Sequence, residues 1–288
     1  MTAPGLLEQW DDLMRRRRAD MRDSLGVYRE ILAVWEAWSA EDVESLDWTA
    51  DTCRERWTRG VPLLAGHPAP VAPAAVEEVM GAVMEILAAA ADWGPGLQRL
   101  AEAWDRGDIG PAALLPGQGR LASIEAERAS GLSADALGFL AIAAFRPALQ
   151  RRLAGSHGHL TPDDWRLGVC PFCGAPPGFV DVVEDGRRRL ACHLCGGAWP
   201  FAKVQCPFCG ADETKDLGRL EAEGRDQAYF VSVCRRCRAY VKELDRRARW
   251  DGASAVVEDW GSPHLDVVAG RQGYWRAVPP LLLLLRPV

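Results

Sequence analysis

The chain has 288 residues, 48% hydrophobic and 26% charged, with a formal net charge of −6. That length supports a substantial core, and a Cys-poor first part of about 165 residues suggests more than one domain. The acidic balance argues against a general polyanion binder.

Targeting features are missing from the pattern. The segment from Met1 to Asp12 is acidic and amphipathic, whereas a secretory signal is basic and then apolar. Arg15–Arg18 is followed by Ala-Asp-Met-Arg-Asp, from which no twin-arginine export segment can be built. The apolar runs 83–91 and 281–285 fall short of the roughly 20 residues that span a bilayer. The expectation is a cytoplasmic protein without membrane insertion.

In chain order, residues 5–165 read as helices. Leu6, Trp10, Leu13 and Met14 recur at helical spacing, and Val27, Ile31, Val34, Trp35 and Trp38 do so again after Gly26. Arg15–Arg18 reads as a solvated helix face. Glu41–Arg59 holds a third candidate helix with Val43, Leu46 and Trp57 inward, and the isolated Cys53 within it reads as a small buried hydrophobe. Residues 60–75 are dense in Pro and Gly and form a connecting loop, with His67 as a surface histidine. From Pro73, the positions Val76, Val79, Met80, Val83, Met84 and Leu87 trace one helical face as far as Gly94-Pro95-Gly96. Shorter helices follow at Leu97–Trp104 and, after the break Pro116-Gly117-Gln118-Gly119, at Leu121–Ala129. Ser133 then caps a helix with Leu137, Leu140, Ala141, Ala144 and Phe145 inward and a kink expected at Pro147. Seven of the twelve tryptophans precede residue 105, mostly in phase with aliphatic neighbours, as core residues are. No nucleophile is assembled with a base and no carboxylates pair here, so this half reads as a scaffold or docking domain and no catalytic residue is assigned.

The next stretch is the most informative. Eight of the nine cysteines form four Cys-x-x-Cys pairs: Cys170/Cys173, Cys192/Cys195, Cys206/Cys209 and Cys234/Cys237. Thiols at this spacing in a reducing compartment are metal ligands more often than disulfides, and two such knuckles complete a tetrahedron. Residues 170–174 and 206–210 both read Cys-Pro-Phe-Cys-Gly, in which Gly can supply the left-handed residue that closes the knuckle. Phe179–Val183, the turn Glu184-Asp185-Gly186 and Arg187–Cys192 read as a hairpin that brings the first two pairs together. About seven extended residues at 3.3 Å each then carry the chain roughly 20 Å to the third pair. Leu217–Glu221, a turn at Glu223-Gly224-Arg225 and Tyr229–Val233 repeat the hairpin. The pattern predicts one site from Cys170, Cys173, Cys192 and Cys195 and a second from Cys206, Cys209, Cys234 and Cys237, a cross-braced pairing being the alternative. His157 and His159 stand near the first knuckle, but eight cysteines already satisfy two sites and neither is assigned as a ligand; His193 is expected to be exposed.

A closed four-thiolate shell suits zinc, or a single iron, and leaves no position for a hydrolytic water. The neighbouring Arg187–Arg189, Arg235, Arg236 and Arg238 can offset its negative charge, which weakens them as evidence for nucleic acid. Beyond the cysteines, a helix is expected over 264–272 and a packed extended tail over Pro280–Leu285. The fold class is therefore α+β and multidomain: a helical domain over 1–165, a first four-Cys ribbon over 166–199, a second over 200–250, and a C-terminal segment, 251–288, that packs on the ribbons or the helices.

The order of these features resembles the formate dehydrogenase accessory protein family, FdhE type. The resemblance rests on Cys170-Pro-Phe-Cys173-Gly, Cys192-His-Leu-Cys195 with Trp199 after it, Val204-Gln-Cys206-Pro-Phe-Cys209, Cys234-Arg-Arg-Cys237 leading into Tyr240-Val-Lys, and the later Leu265-Asp-Val-Val-Ala and Gly273-Tyr274. It implies a non-enzymatic cytoplasmic maturation factor that contacts the catalytic subunit of a molybdenum- or tungsten-containing respiratory formate dehydrogenase. It also implies rubredoxin-like sites and shifts the metal preference from zinc to iron for both ions. A rubredoxin-like electron carrier in cofactor assembly and a nucleic-acid-binding zinc ribbon are the alternatives, and homo-oligomerisation is left open. Pro200 and Pro207 flank the extended segment between the ribbons and place it at a sheet edge.

Overall fold

Residues 4–39, 43–66, 71–90, 92–115, 124–183, 185–221 and 227–279 are described in a computed structural model. His67, the break at 116–119 and the residues after it to 123, the 223–225 turn and the tail 280–285 lie outside them. The chain divides into two compact units: Met1–Glu44, Pro68–Arg152 and Pro279–Val288 form one, and Ser45–His67 with Leu153–Val278 form the other.

The first unit is helical. Its elements are α1 (Leu6–Arg17), α2 (Gly26–Ala37), α4 (Ala74–Ala90), α5 (Gly94–Asp105), α6 (Ile124–Ser130) and the larger part of α7 (Ala134–His157), α3 lying in the second unit. The apolar positions read at helical spacing become its core: Trp10 packs on Tyr28 at 6.2 Å between ring centroids, and Tyr28 meets Phe139 edge-on at 6.1 Å. Helix α7 is the centre of this unit. Residues 136–146 are buried on every side, so the helix needs no polar face, and Ser133 caps it by accepting a hydrogen bond from the Ala136 amide. The helix runs on through Pro147 to His157. Trp35 donates its indole N–H to the Ala143 carbonyl, which satisfies the one polar atom of a buried ring. Arg15 and Arg16 are exposed and pair with Asp12 as a solvated face should, but Arg18 is buried at 7% exposure. No single helix among the described residues is long and apolar enough to cross a membrane; α6 and α7 meet both requirements only together, across a 102° bend.

The second unit is built on one sheet. Strands β1 (Pro177–Val182), β2 (Arg188–Cys192) and β3 (Ala198–Phe201) form the first ribbon, and β4 (Leu217–Glu221), β5 (Tyr229–Cys234) and β6 (Ala239–Asp245) the second. Within each ribbon the strands are antiparallel. The ribbons are joined by parallel pairing of β1 with β6, giving the order β3-β2-β1-β6-β5-β4, and β7 (Trp275–Arg276) adds beside the start of β6. The first strand of one ribbon thus meets the third strand of the next, so the two are related by translation. Sequence spacing shows each hairpin but not this junction, which depends on contacts some sixty residues apart. Pro200 falls in β3 at the sheet edge, where its missing N–H costs no ladder bond.

Helices α8 (Ala255–Trp260) and α9 (Pro263–Arg271) cover one face of this sheet. Leu265 and Ala269 of α9 pack there with Phe179, Tyr229, Val231 and Leu244. Helix α9 matches the predicted 264–272, whereas α8 is too short for its periodicity to stand out. Helix α3 (Ala50–Thr58) is shorter than the predicted Glu41–Arg59, because Thr49 caps it, accepting from the Thr52 amide. Val43 and Leu46 are buried but lie before the helix.

Candidate metal centres

The four knuckles share one backbone design. In the first and third, the Gly174 and Gly210 amides bond back to the Cys170 and Cys206 carbonyls, while the Cys170 and Cys206 amides bond to Ala175 and Ala211. The residue after each second cysteine is left-handed: Gly174 at φ 82°, Gly196 at 75°, Gly210 at 74° and Arg238 at 61°. Three of these are the glycines a tight turn favours. Arg238 is the exception and the one non-glycine residue with positive φ among those described. Its guanidinium lies over the Tyr274 ring at 4.0 Å and donates to the Gln272 and Gly273 carbonyls, contacts that hold the residue in a costly conformation.

The knuckles converge in the predicted fours. The sulfurs of Cys170, Cys173, Cys192 and Cys195 lie within 4.8 Å of one another, as do those of Cys206, Cys209, Cys234 and Cys237. Across the first quartet, Cys170 and Cys195 are 3.6 Å apart and Cys173 and Cys192 3.5 Å. Across the second, both corresponding distances are 3.7 Å. A disulfide would need about 2.05 Å. A tetrahedron with metal–sulfur bonds of about 2.3 Å has edges of about 3.8 Å, so each quartet has the dimensions of a four-thiolate ion site. Each could hold one metal ion, and the geometry alone does not choose between zinc and iron.

The electrostatics suit loading. Burial pushes the Cys170 thiol up, and its three thiol neighbours add to the shift. Burial opposes ionisation of Cys192 too, but hydrogen bonds from Cys170, Cys173 and Cys195 pull it well below the ordinary thiol range. In the second quartet Cys206 is raised by burial; burial opposes ionisation of Cys209 too, but the Ala211 amide and the thiol neighbours together outweigh it and lower its pKa.

Identical Cys-Pro-Phe-Cys-Gly motifs sit in different surroundings. Phe172, inside the first knuckle, is buried between Trp57, edge-on at 6.0 Å, and His157 at 4.5 Å. Residues 63–64 pair with this knuckle, Leu63 and Leu64 donating to the Pro171 and Phe172 carbonyls, and the Trp57 indole donates to Pro171 as well. Gly197 is required here, since a Cβ would lie 2.4 Å from the Phe172 ring. The second quartet is more open: Cys209 is exposed, Cys237 half-buried, and Phe208 leans on Trp275 at 6.5 Å.

The histidines belong to neither quartet. His157 backs Phe172, with Nε2 buried and lacking a hydrogen-bond partner, and burial lowers its pKa. His193 is not exposed as expected. It retains 8% exposure, with Nδ1 bound to the Pro176 carbonyl at 2.8 Å and Cβ against Gly178, because the second knuckle folds back over the start of β1. Cys53 is fully buried, its pKa raised by desolvation and partly offset by Ser156.

The arginines near the cysteines are largely committed. Arg235 donates to the Lys215 and Leu217 carbonyls, and Arg187 pairs with Asp185. Arg188, at 7% exposure, reaches Glu243, and burial pulls its guanidinium down to about 10, still charged at neutral pH.

Sequence reading missed a second buried cluster, on the helix-covered face. Lys242 is fully buried, with Nζ 2.9 Å from both Asp259 and Asp266. Arg276 bonds the same two carboxylates at 2.5 and 3.1 Å, and the Tyr240 hydroxyl donates to Asp266 at 2.7 Å. Tyr240-Val-Lys and Leu265-Asp are adjacent to the motifs, yet nothing in their spacing announces that they meet. The cluster ties β6, α8, α9 and β7 together behind the second ribbon.

No family model matches the chain. It is 36% identical over 120 residues to a protein named Protein FdhE homolog from Stutzerimonas stutzeri, covering 40% of this chain and 38% of that one. It is 31% identical over 234 residues to the homologue of the same name from Pseudomonas aeruginosa, covering 77% and 64%, and 30% over 153 residues to that of Aquifex aeolicus, covering 50% and 51%. The matched region thus spans less than two thirds of the length of each of these relatives. The fold is that of the crystal structure of the FdhE protein from Pseudomonas aeruginosa, with a TM-score of 0.62, 24% identity, and coverage of 98% of this chain and 95% of that one. In its helical part, its ribbons and their two four-cysteine quartets, the chain is similar in sequence and in fold to proteins of the FdhE family.

Proposed function

We propose that the protein is a cytoplasmic accessory factor for assembly or activation of a respiratory formate dehydrogenase. It binds the catalytic subunit of that molybdenum or tungsten enzyme through its helical domain and its ribbons, and it performs no catalysis of its own. The observation that carries this reading is the pair of complete, closed cysteine quartets in a chain of FdhE type. Four thiolates around one ion leave no open coordination position, which suits holding a recognition surface in shape better than it suits hydrolysis. Cys170, Cys173, Cys192 and Cys195 hold one ion and Cys206, Cys209, Cys234 and Cys237 the other, and the family resemblance favours iron. An ion in each quartet would supply a structural staple and, as iron, a one-electron couple.

Affinity purification of the tagged chain from cells grown on formate under respiratory conditions tests the partnership. The catalytic subunit is expected to co-purify in its immature form, and its consistent absence, with the chain folded and metal-loaded, would reject the assignment.

A second reading, electron transfer during cofactor assembly, is favoured by one feature: the exposed Cys209 brings the second quartet to solvent. Voltammetry of the iron-loaded chain decides it. A reversible couple at the second site supports the reading, and full function with zinc in both sites rejects it.

A further inference from the structure

The face of the sheet opposite α8 and α9 carries a cavity of about 490 Å³ that starts beside Cys206 and Cys234 of the second quartet and extends away from them over the strands. Side chains alternate across a sheet, so Val182, Val241 and Leu217 line its floor together with Arg188, Glu243, Ser232 and Arg219, on the face turned away from the helices. Arg188 lies on β2 and Arg219 on β4, four strand spacings or about 19 Å apart at the backbone, and both side chains reach inward to Glu243 on β6 between them. Lining residues drawn from strands β2 to β4 make a strip as long as an extended chain of about six residues.

Its charge is one-sided. Two guanidiniums, Arg188 and Arg219, share the single buried carboxylate of Glu243, which also accepts from the Ser232 hydroxyl at 2.8 Å. Arg188 Nε is buried, lies 3.5 Å from Glu243, and has no hydrogen-bond partner. At the rim, Arg247 and Lys203 both approach Gly186, at 3.5 and 4.0 Å from where a Cβ would stand, and Arg247 pairs with Asp245. Among the described residues, four cations therefore face three carboxylates, Glu243, Asp245 and Glu221, the last beside Arg219 on β4, over an apolar floor. Arginine recognises carboxylates in forked pairs, and an extended chain presents alternate side chains to one surface.

We propose that this cleft binds an extended peptide segment in which acidic side chains alternate with apolar ones. The acidic groups complete the pairing of Arg188, Arg219 and the rim cations, and the apolar groups cover Val182, Val241 and Leu217. This goes beyond the accessory role and does not depend on which protein is served. Co-purification tests that role, whereas the cleft is tested by peptides alone.

The probe is a phage-displayed library of random hexapeptides, panned against the metal-loaded full chain. Selected sequences are expected to be enriched in Asp and Glu over Lys and Arg, with apolar neighbours. A synthetic peptide of the selected sequence should bind about tenfold more weakly to the rim variant Lys203→Glu/Arg247→Gln and to Arg219→Gln, a loss of about 1.4 kcal/mol. Metal content and circular dichroism of both variants should match the parent. No acidic enrichment, or affinity unchanged in both folded variants, overturns the proposal. Displacement of the peptide by succinate or by a single-stranded oligonucleotide at equal concentration overturns it as well, the first in favour of a free-carboxylate site and the second of a nucleic-acid groove.

Discussion

Replacing Asp266 with Asn removes one charge from a buried set that is neutral as built. Lys242 and Arg276 face Asp259 and Asp266, with side-chain exposures of 0, 4, 9 and 0%. At 2.9 Å and an effective dielectric of about 20, the Lys242–Asp266 contact alone is worth about 6 kcal/mol of Coulomb energy. The desolvation of Asp266 that the substitution relieves offsets part of this, and breaking one partner of a buried pair costs a net of about 3–5 kcal/mol. Urea unfolding followed by tryptophan fluorescence should show Asp266→Asn destabilised by that amount. The double variant Lys242→Met/Asp266→Asn, which restores neutrality, should lose less than Asp266→Asn alone.

Acid adds a signature to the same cluster. Burial opposes ionisation of Asp266, but Arg276 and Lys242 outweigh it and hold the carboxyl below its ordinary value. Its stabilising contribution is therefore complete above the unfolded aspartate pKa of about 3.9 and is lost as pH falls below that, through the lower folded value. The parent should show this loss and Asp266→Asn should not. A cost under about 1 kcal/mol for Asp266→Asn, or a double variant no better than the single, would refute the view of the cluster as one neutral unit.

Other outcomes follow from the knuckles. Cys170→Ser and Cys206→Ser should each lower the bound metal by one equivalent without emptying the other quartet, read by elemental analysis, because the quartets share no ligand. A chelator should strip the second quartet first, since Cys209 is exposed while Cys170, Cys192 and Cys195 are buried; stopped-flow release with a colorimetric chelator would show two phases, and Cys206→Ser should abolish the fast one. Arg238→Gly should be more stable than Arg238→Ala by about 1 kcal/mol in thermal unfolding, since both lose the guanidinium contacts but only Ala keeps the left-handed penalty.

Much of this architecture was legible because it is local. Both quartets could be assigned from hairpins whose turns and strands are written in consecutive residues, with Asp185-Gly186 closing the first. The helices of the first unit showed themselves through Trp10, Ile31, Val83 and Leu140 at helical spacing. What escaped is nonlocal. The parallel β1–β6 pairing joins Phe179 to Lys242, and no turn or period marks such a contact. Lys242 at the centre of β6 reads as a surface charge until Asp259 and Asp266 arrive from α8 and α9. The association of residues 45–67 with the first knuckle rests on Trp57 and on the Leu63 and Leu64 amides, in a stretch whose composition says only loop. His193 was misjudged for the same reason, its burial coming from β1 and not from its own knuckle.

The decisive measurement is respiratory formate oxidation in a strain whose own gene for this protein is deleted. Restoring the chain is predicted to restore the activity, while a chain with serine in place of Cys170, Cys173, Cys206 and Cys209, which empties both quartets, is predicted not to. Undiminished formate oxidation in the deletion strain, with no chain supplied, would contradict the accessory role outright.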